Sequence, residues 1–207
     1  MKNATRVFVS TFGAIWALAG IEHGIGEVLQ GNVAPSGVMF SSWPDAAFFH
    51  SLNGEPAMTV IPNLLITGIL TILFSLALLI WALLFVQRKN GGLVMIFLSF
   101  MMLLVGGGIF PPILGILVGI VATRIHAPAR VKRFDGFKRF LAKLWPWSYI
   151  TCLITWLAMF PGLAFLGYFW GVNDSMVILV LLLAALGVSI LAVFSSFAYD
   201  AQMETSA

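Results

Sequence analysis

The stretch GIEHGIGEVLQG, residues 20–31, carries Glu22, His23 and Glu27 inside a segment that otherwise reads as a membrane helix. Carboxylates and imidazoles take up and release protons, and both ligate cations. His23 and Glu27 are four residues apart, so a helix sets them on one face, where Glu27 can hold the imidazole in one tautomer. At about 100° per residue, Gly13, Ala17, Gly20, Gly24 and Gly31 form an adjacent seam of small residues. Such a seam lets a neighbouring helix approach closely. Gln30 extends the polar row along its edge, and Glu22 points away from it.

A charged group at bilayer depth costs about 2.5–3.5 kcal/mol on insertion scales, so this cluster needs water or partners. Counted inward from Gly31, Glu27 lies about one turn below the outer surface, and Glu22 and His23 roughly 12–14 Å in. The outer loop, 31–56, offers company. Ser42-Trp43-Pro44-Asp45 reads as a helix start with a capping box, continued by 46–52 and ended by Asn53-Gly54. It presents His50, and Glu55 follows at the mouth of the next span. The candidate ligand or proton site is therefore His23 and Glu27, with Glu22, His50 and Glu55 as helpers. Glu22, Glu27, Asp45, Glu55 and Asp174 make the outer half electronegative, which suits a cation or proton better than an anion.

Three chemistries fit such a group. One is a satisfied polar network that pins the first helix, as in a non-catalytic structural or regulatory membrane subunit. A second is a site for binding or transporting a cation, a proton-linked solute or a small amphiphile. The third is a membrane-embedded metal-dependent enzyme. His23, Glu27, His50 and Glu55 would be acceptable ligands for zinc, iron or manganese, but no HExxH or ExxH spacing is present and nothing requires a metal ion. No GxSxG elbow supports a serine hydrolase, and GGGIFPP reads as a turn and not as a nucleotide fingerprint. Cys152 is the single cysteine, so an intrachain disulfide is excluded.

The elements that must position these residues follow from composition. The chain of 207 residues is 60% hydrophobic and 9% charged, with a mean hydropathy of +1.02. Soluble domains average about a quarter charged residues, so the solvent here is lipid. The expected fold is an all-α integral membrane protein, a six-span helical bundle in a single transmembrane domain, 1–207. Spans fall at about 7–30, 57–86, 91–108, 111–125, 147–170 and 175–199, each near the length a ~30 Å hydrocarbon core requires. The third and fourth are a short hairpin, because 91–125 as one helix would run about 50 Å and Gly106–Pro112 breaks it. A re-entrant form of that hairpin keeps the same sidedness.

Six spans put all eleven Lys and Arg residues on one face of the membrane. By the positive-inside rule both termini are cytoplasmic, in a multi-pass protein assigned to the plasma membrane. A start resembling a signal peptide, with Ala17-Leu18-Ala19 as its cleavage site, is outweighed by the apolar character that resumes beyond it. The basic segment 127–146 reads as an amphipathic interfacial helix stopped by Pro146. Its Lys132, Arg133, Lys138, Arg139 and Lys143 meet anionic headgroups, and the basic charge calls for no nucleic acid. Pro161-Gly162 and Pro62 are candidate kinks, and Ala185, Ser189, Ala192 and Ser196 form a packing face that would also suit a homo-oligomer. A reporter placed at residue 90 or 130 is expected on the cytoplasmic side and one at residue 40 on the other; opposite labelling in intact cells would overturn this orientation.

Overall fold

The computed structural model describes residues 3–126, 136–172 and 174–206. They form α1 (Asn3–Gln30), β1 (Met39–Ser41), β2 (Pro56–Met58), α2 (Leu64–Ile80), α3 (Gly91–Leu104), α4 (Phe110–Ala122), α5 (Gly136–Leu157), α6 (Leu163–Trp170) and α7 (Ser175–Ser206). A wide turn, Trp81–Phe85, prolongs α2, and another, Ala158–Gly162, joins α5 to α6. Four helical stretches are long and apolar enough to cross a membrane: Ala4–Gln30, Leu64–Phe85, Gly136–Trp170 and Met176–Thr205. The architecture is all-helical apart from the small two-stranded ribbon. Residues gather into two compact units, one of Val9–Arg124, the other of Ile125 onward together with the chain up to Phe8.

In the first unit the small-residue seam of α1 faces inward as its spacing requires. A Cβ added at Gly24 would come 2.9 Å from the Gly68 carbonyl oxygen, and one at Gly68 would come 2.6 Å from that of Gly24. No side chain fits where α1 and α2 cross, so backbone packs on backbone. Gly31, at φ +86°, ends α1. α3 and α4 have 14 and 13 residues, about 21 and 20 Å long, shorter than a ~30 Å hydrocarbon core. The break between them falls at the expected glycines, and Pro111 and Pro112 occupy the first turn of α4.

Two boundaries differ from expectation here. The second apolar helix begins at Leu64 and not near 57, because Asn63 caps it, its side-chain oxygen accepting from Ile66 N at 3.1 Å. Pro62 disfavours helix at the residue before it. Residues 56–58 instead pair antiparallel with 39–41, Phe40 opposite Ala57. Nor does Ser42 start a helix. Its N–H and that of Trp43 donate to the carbonyls of Glu55 and Gly54, which prolongs the ribbon, and only a 3-10 turn, Ala47–Leu52, forms before Asn53 ends it.

In the second unit α5 and α7 are joined by a polar seam. Ser148 and Ser195 hydroxyls lie 2.6 Å apart, and Ser189 accepts from the Trp156 indole N–H at 2.8 Å and contacts the Cys152 thiol at 3.3 Å. Pro146 does not stop the helix as its type suggests; it lies inside α5. Ala142 and Trp145 before it share one buried face with Ser148, Cys152 and Trp156 after it, and that packing carries the helix through. Of the basic residues assigned to headgroups, Lys138, Arg139 and Lys143 lie on α5, whereas Lys132 and Arg133 fall outside the described residues, as does 127–135 of the amphipathic segment.

Asp200 of α7 closes this unit on itself. Its two carboxylate oxygens accept from the backbone N–H groups of Ala4 and Thr5, each at 2.9 Å, so a residue from the last helix caps the first. Asp200→Ala is expected to lower stability by about 2 kcal/mol, the scale of a lost buried cap with charge-assisted bonds. Cys152 is buried and is the only thiol, so a thiol-reactive dye melt reports it directly, with the exposed Glu204→Ala as the unchanged control.

Candidate functional site

The polar residues of α1 meet the ribbon and α2 in one group. His23 is 1% exposed and Glu27 0%, although both belong to a helix with lipid-type side chains around them. Ser42, also 0% exposed, bridges the two: its Oγ lies 3.0 Å from His23 Nδ1, and its hydroxyl donates to Glu27 Oε1 at 3.4 Å. The direct His23–Glu27 bond expected from their spacing is thus replaced by a bridge from another element. On the other ring nitrogen, His23 Nε2 stands 3.5 Å from Glu55 Oε2. On the inner side, the Thr71 hydroxyl donates to the Val105 carbonyl at 2.6 Å, and its oxygen lies 3.4 Å from Glu27 Oε2. Glu55, His23, Ser42, Glu27 and Thr71 therefore form an unbroken series from the ribbon into the helices.

Local structure explains each placement. Gln30, one turn beyond Gly26, donates its amide to the carbonyls of Ser42 at 2.8 Å and Ser41 at 3.2 Å, which pins the ribbon on α1. Gly26 admits it, since a Cβ there would strike the Ser42 carbonyl and the Trp43 ring. Trp43 stacks on Phe49 with centroids 5.2 Å apart. Asn53, Gly54 and Glu55 all have positive φ, 53°, 68° and 57°, and this left-handed run swings the chain so that β2 returns beside β1. Glu55 takes a conformation disfavoured for a residue with a side chain, and its carboxyl meets His23 as a result.

The loop between α3 and α4 closes the inner wall. Gly106, at φ +108°, lies against Glu27, and Gly108, at φ +80°, lies against His23; a Cβ at either would overlap the carboxylate or the imidazole. Both the backbone angles and the space demand glycine. Thr59 pairs with Val105 across this loop, and its hydroxyl is 3.1 Å from that of Thr67.

Of the residues singled out by sequence, His23, Glu27 and Glu55 come together, with Glu22 beside them. Glu22 interacts electrostatically with Glu55 and faces the Trp43 indole, but its Oε1 and the Trp43 N–H are buried without a well-formed hydrogen bond among the described residues. His50 is exposed on the 3-10 turn, and its imidazole makes no hydrogen bond to this group. Among the described residues no three His, Cys, Asp or Glu side chains group as metal ligands. Thr71, Gly106 and Gly108 were not singled out as site residues, their only signals being the hydroxyl spacing on α2 and the glycine run, and Ser42 was read as a helix start.

Compared with protein-family models, curated proteins and solved structures, the chain matches none. The site's chemistry is therefore argued from its own geometry. Burial pushes the Glu55 carboxyl up to about 7 from its ordinary 4.5. A raised value means that the folded protein holds this proton more tightly than the unfolded chain. The contribution is complete below about 4.5 and is lost as pH rises through about 7. Glu55→Gln, which cannot ionise, should therefore match the wild type near pH 4.5 and exceed it at pH 8 by up to about 3 kcal/mol in paired thermal melts.

Proposed function

We propose that this chain is a polytopic membrane protein whose outer-facing His23–Glu27–Glu55 group takes up protons, or a small cation in exchange for them, for transport. The observation that supports the reading is the series Glu55–His23–Ser42–Glu27, in which every neighbour can both give and receive a hydrogen except the terminal carboxyls. In one state, protonated Glu55 donates to His23 Nε2, His23 Nδ1–H donates to Ser42, and Ser42 donates to ionised Glu27. When each hydrogen moves one bond along, Glu55 becomes the carboxylate and Glu27 the acid. A proton has then passed from the ribbon to the helix interior, and the imidazole has exchanged tautomers. The charges suit this cargo, because no Lys or Arg occurs between Arg6 and Arg88.

The membrane arrangement that accompanies this reading has six spans, α3 and α4 forming the short hairpin either across the bilayer or re-entrant, and both termini in the cytoplasm. Its support is the one-sided distribution of Lys and Arg together with the four long apolar helices. A metal-dependent enzyme gains no support from the donor set, since His50 stands apart from the other three residues.

The test is proton uptake by pyranine-loaded proteoliposomes under a valinomycin-set potential. Wild type should acidify the lumen, and Glu27→Gln and His23→Ala should each slow it at least about tenfold while the protein remains folded, the effect of removing an obligatory proton carrier. Equal flux from wild type and Glu27→Gln, with stability alone reduced, would make the group a structural network.

A further inference from the structure

Beyond Glu27 the interior of the first unit holds a second set of hydroxyls. α2 is apolar except for Thr67, Thr71 and Ser75, which recur every four residues and are all fully buried, each 0% exposed. α3 carries a single hydroxyl, Ser99, likewise 0% exposed. Thr71 belongs to the site already described. Ser75 Oγ and Ser99 Oγ have no hydrogen-bond partner among the described residues.

Among the described residues the Thr5 hydroxyl shares that lack, but the serines of α5 and α7 do not. A serine in an apolar helix ordinarily returns its hydroxyl to a carbonyl one turn back, which satisfies it at no expense to the fold. Ser148, Ser189, Ser195 and Ser196 of α5 and α7 all do so, to Trp145, Ala185, Ala192 and Val193 respectively. Ser75 and Ser99 do not, although their helices offer the same carbonyls. A buried hydroxyl turned from its own backbone in an apolar bundle points to a partner of another kind, and water is the usual one.

Their positions continue the series. A Cβ added at Gly20 of α1 would meet both the Ser75 hydroxyl and the Met102 methyl, so Ser75 and Met102 share one level. A Cβ at Gly115 of α4 would meet the Ser99 hydroxyl and lie 3.9 Å from Leu78, so Ser99 and Leu78 share the next. Ser99 thus lies about one turn, ~5 Å, deeper than Ser75, which is itself about one turn below Thr71. Further inward, a Cβ added at Gly13 would meet the Met95 methyl and Ala82, both apolar and buried.

We propose that the proton path of the preceding reading, on which this inference rests, continues from Glu27 past Thr71 to Ser75 and Ser99, with water bonded to the two serine hydroxyls. Thr71, whose own hydrogen is held by the Val105 carbonyl, accepts a hydrogen bond from protonated Glu27 and positions it, and the proton itself leaves Glu27 for the water beside Ser75. Each water and each of the two serine hydroxyls accepts one hydrogen and releases another, so no charge is left on a hydroxyl. Met95, unbranched and pliable, closes the inner end.

The same pyranine-loaded proteoliposomes test it. Ser75→Ala and Ser99→Ala remove one oxygen each and add no bulk at Gly20 or Gly115, so the packing is kept. Each should lower proton flux at least about fivefold, as expected for loss of one station in a relay. The Glu27 carboxyl band in the infrared should meanwhile be retained, and its exchange into deuterium oxide should slow in both variants. If both variants conduct and exchange as wild type does while Glu27→Gln does not conduct, the path is overturned and the outer site stands. If Glu27→Gln also conducts normally, the reading beneath it falls as well.

Discussion

Ser42 has a single hydroxyl hydrogen and lies between an imidazole nitrogen and a carboxylate oxygen, at 3.0 and 3.4 Å. Whichever of the two receives that hydrogen, the other must supply one of its own, because a hydroxyl has one hydrogen to give and accepts through its lone pairs. The protonation of His23 and that of Glu27 are therefore coupled through an oxygen that comes from neither helix. Everything around Ser42 serves to keep that oxygen in place. Gln30 grips its carbonyl, Glu55 and Gly54 bond the backbone on either side of it, and the stacked Trp43 and Phe49 weight the loop. A serine on a flexible loop could not do this, since losing one bond would leave a buried carboxylate without a donor.

The other half of the constraint is steric. A carboxylate and an imidazole inside an apolar bundle can be covered by side chains or by backbone, and here the backbone of Val105–Gly108 does it. With no Cβ, Gly106 and Gly108 bring peptide groups against the Glu27 carboxyl and the His23 imidazole without adding bulk. The crossing of Gly24 on Gly68 has the same effect one turn away, because it draws α2 close enough for Thr71 to reach Glu27. The glycines of this unit therefore set distances between polar atoms as well as between helices.

Much of this was legible in the residues themselves. The long apolar runs gave the helices, the glycines and Pro111-Pro112 gave the break between α3 and α4, and the position of Glu22, His23 and Glu27 gave the polar face of α1. Side-chain type misled where a tertiary contact outweighed local preference. Ser42 resembles a helix cap, but its hydroxyl is taken by His23 and Glu27; Pro146 resembles a stop, but buried neighbours on both sides continue the helix. The ribbon escaped notice because three-residue strands have no periodicity to read, and its return depends on left-handed Asn53, Gly54 and Glu55. Ser75 and Ser99 could not be ranked from sequence at all, since a hydroxyl bonded to its own helix and one turned from it are the same letter.

The cap that Asp200 places on α1 has a consequence for how the chain is built. The carboxylate that satisfies the N–H groups of Ala4 and Thr5 lies 196 and 195 residues further along the chain. Until α7 has been made and inserted, the first turn of α1 has no acceptor of its own for those donors. The start of the helix that carries His23 and Glu27 is therefore secured by a contact of very high sequence separation, which can form only once α7 has been made. A chain that stops short of Asp200 would leave the Ala4 and Thr5 N–H groups without that acceptor, so a break near one end is felt at a helix start almost two hundred residues away.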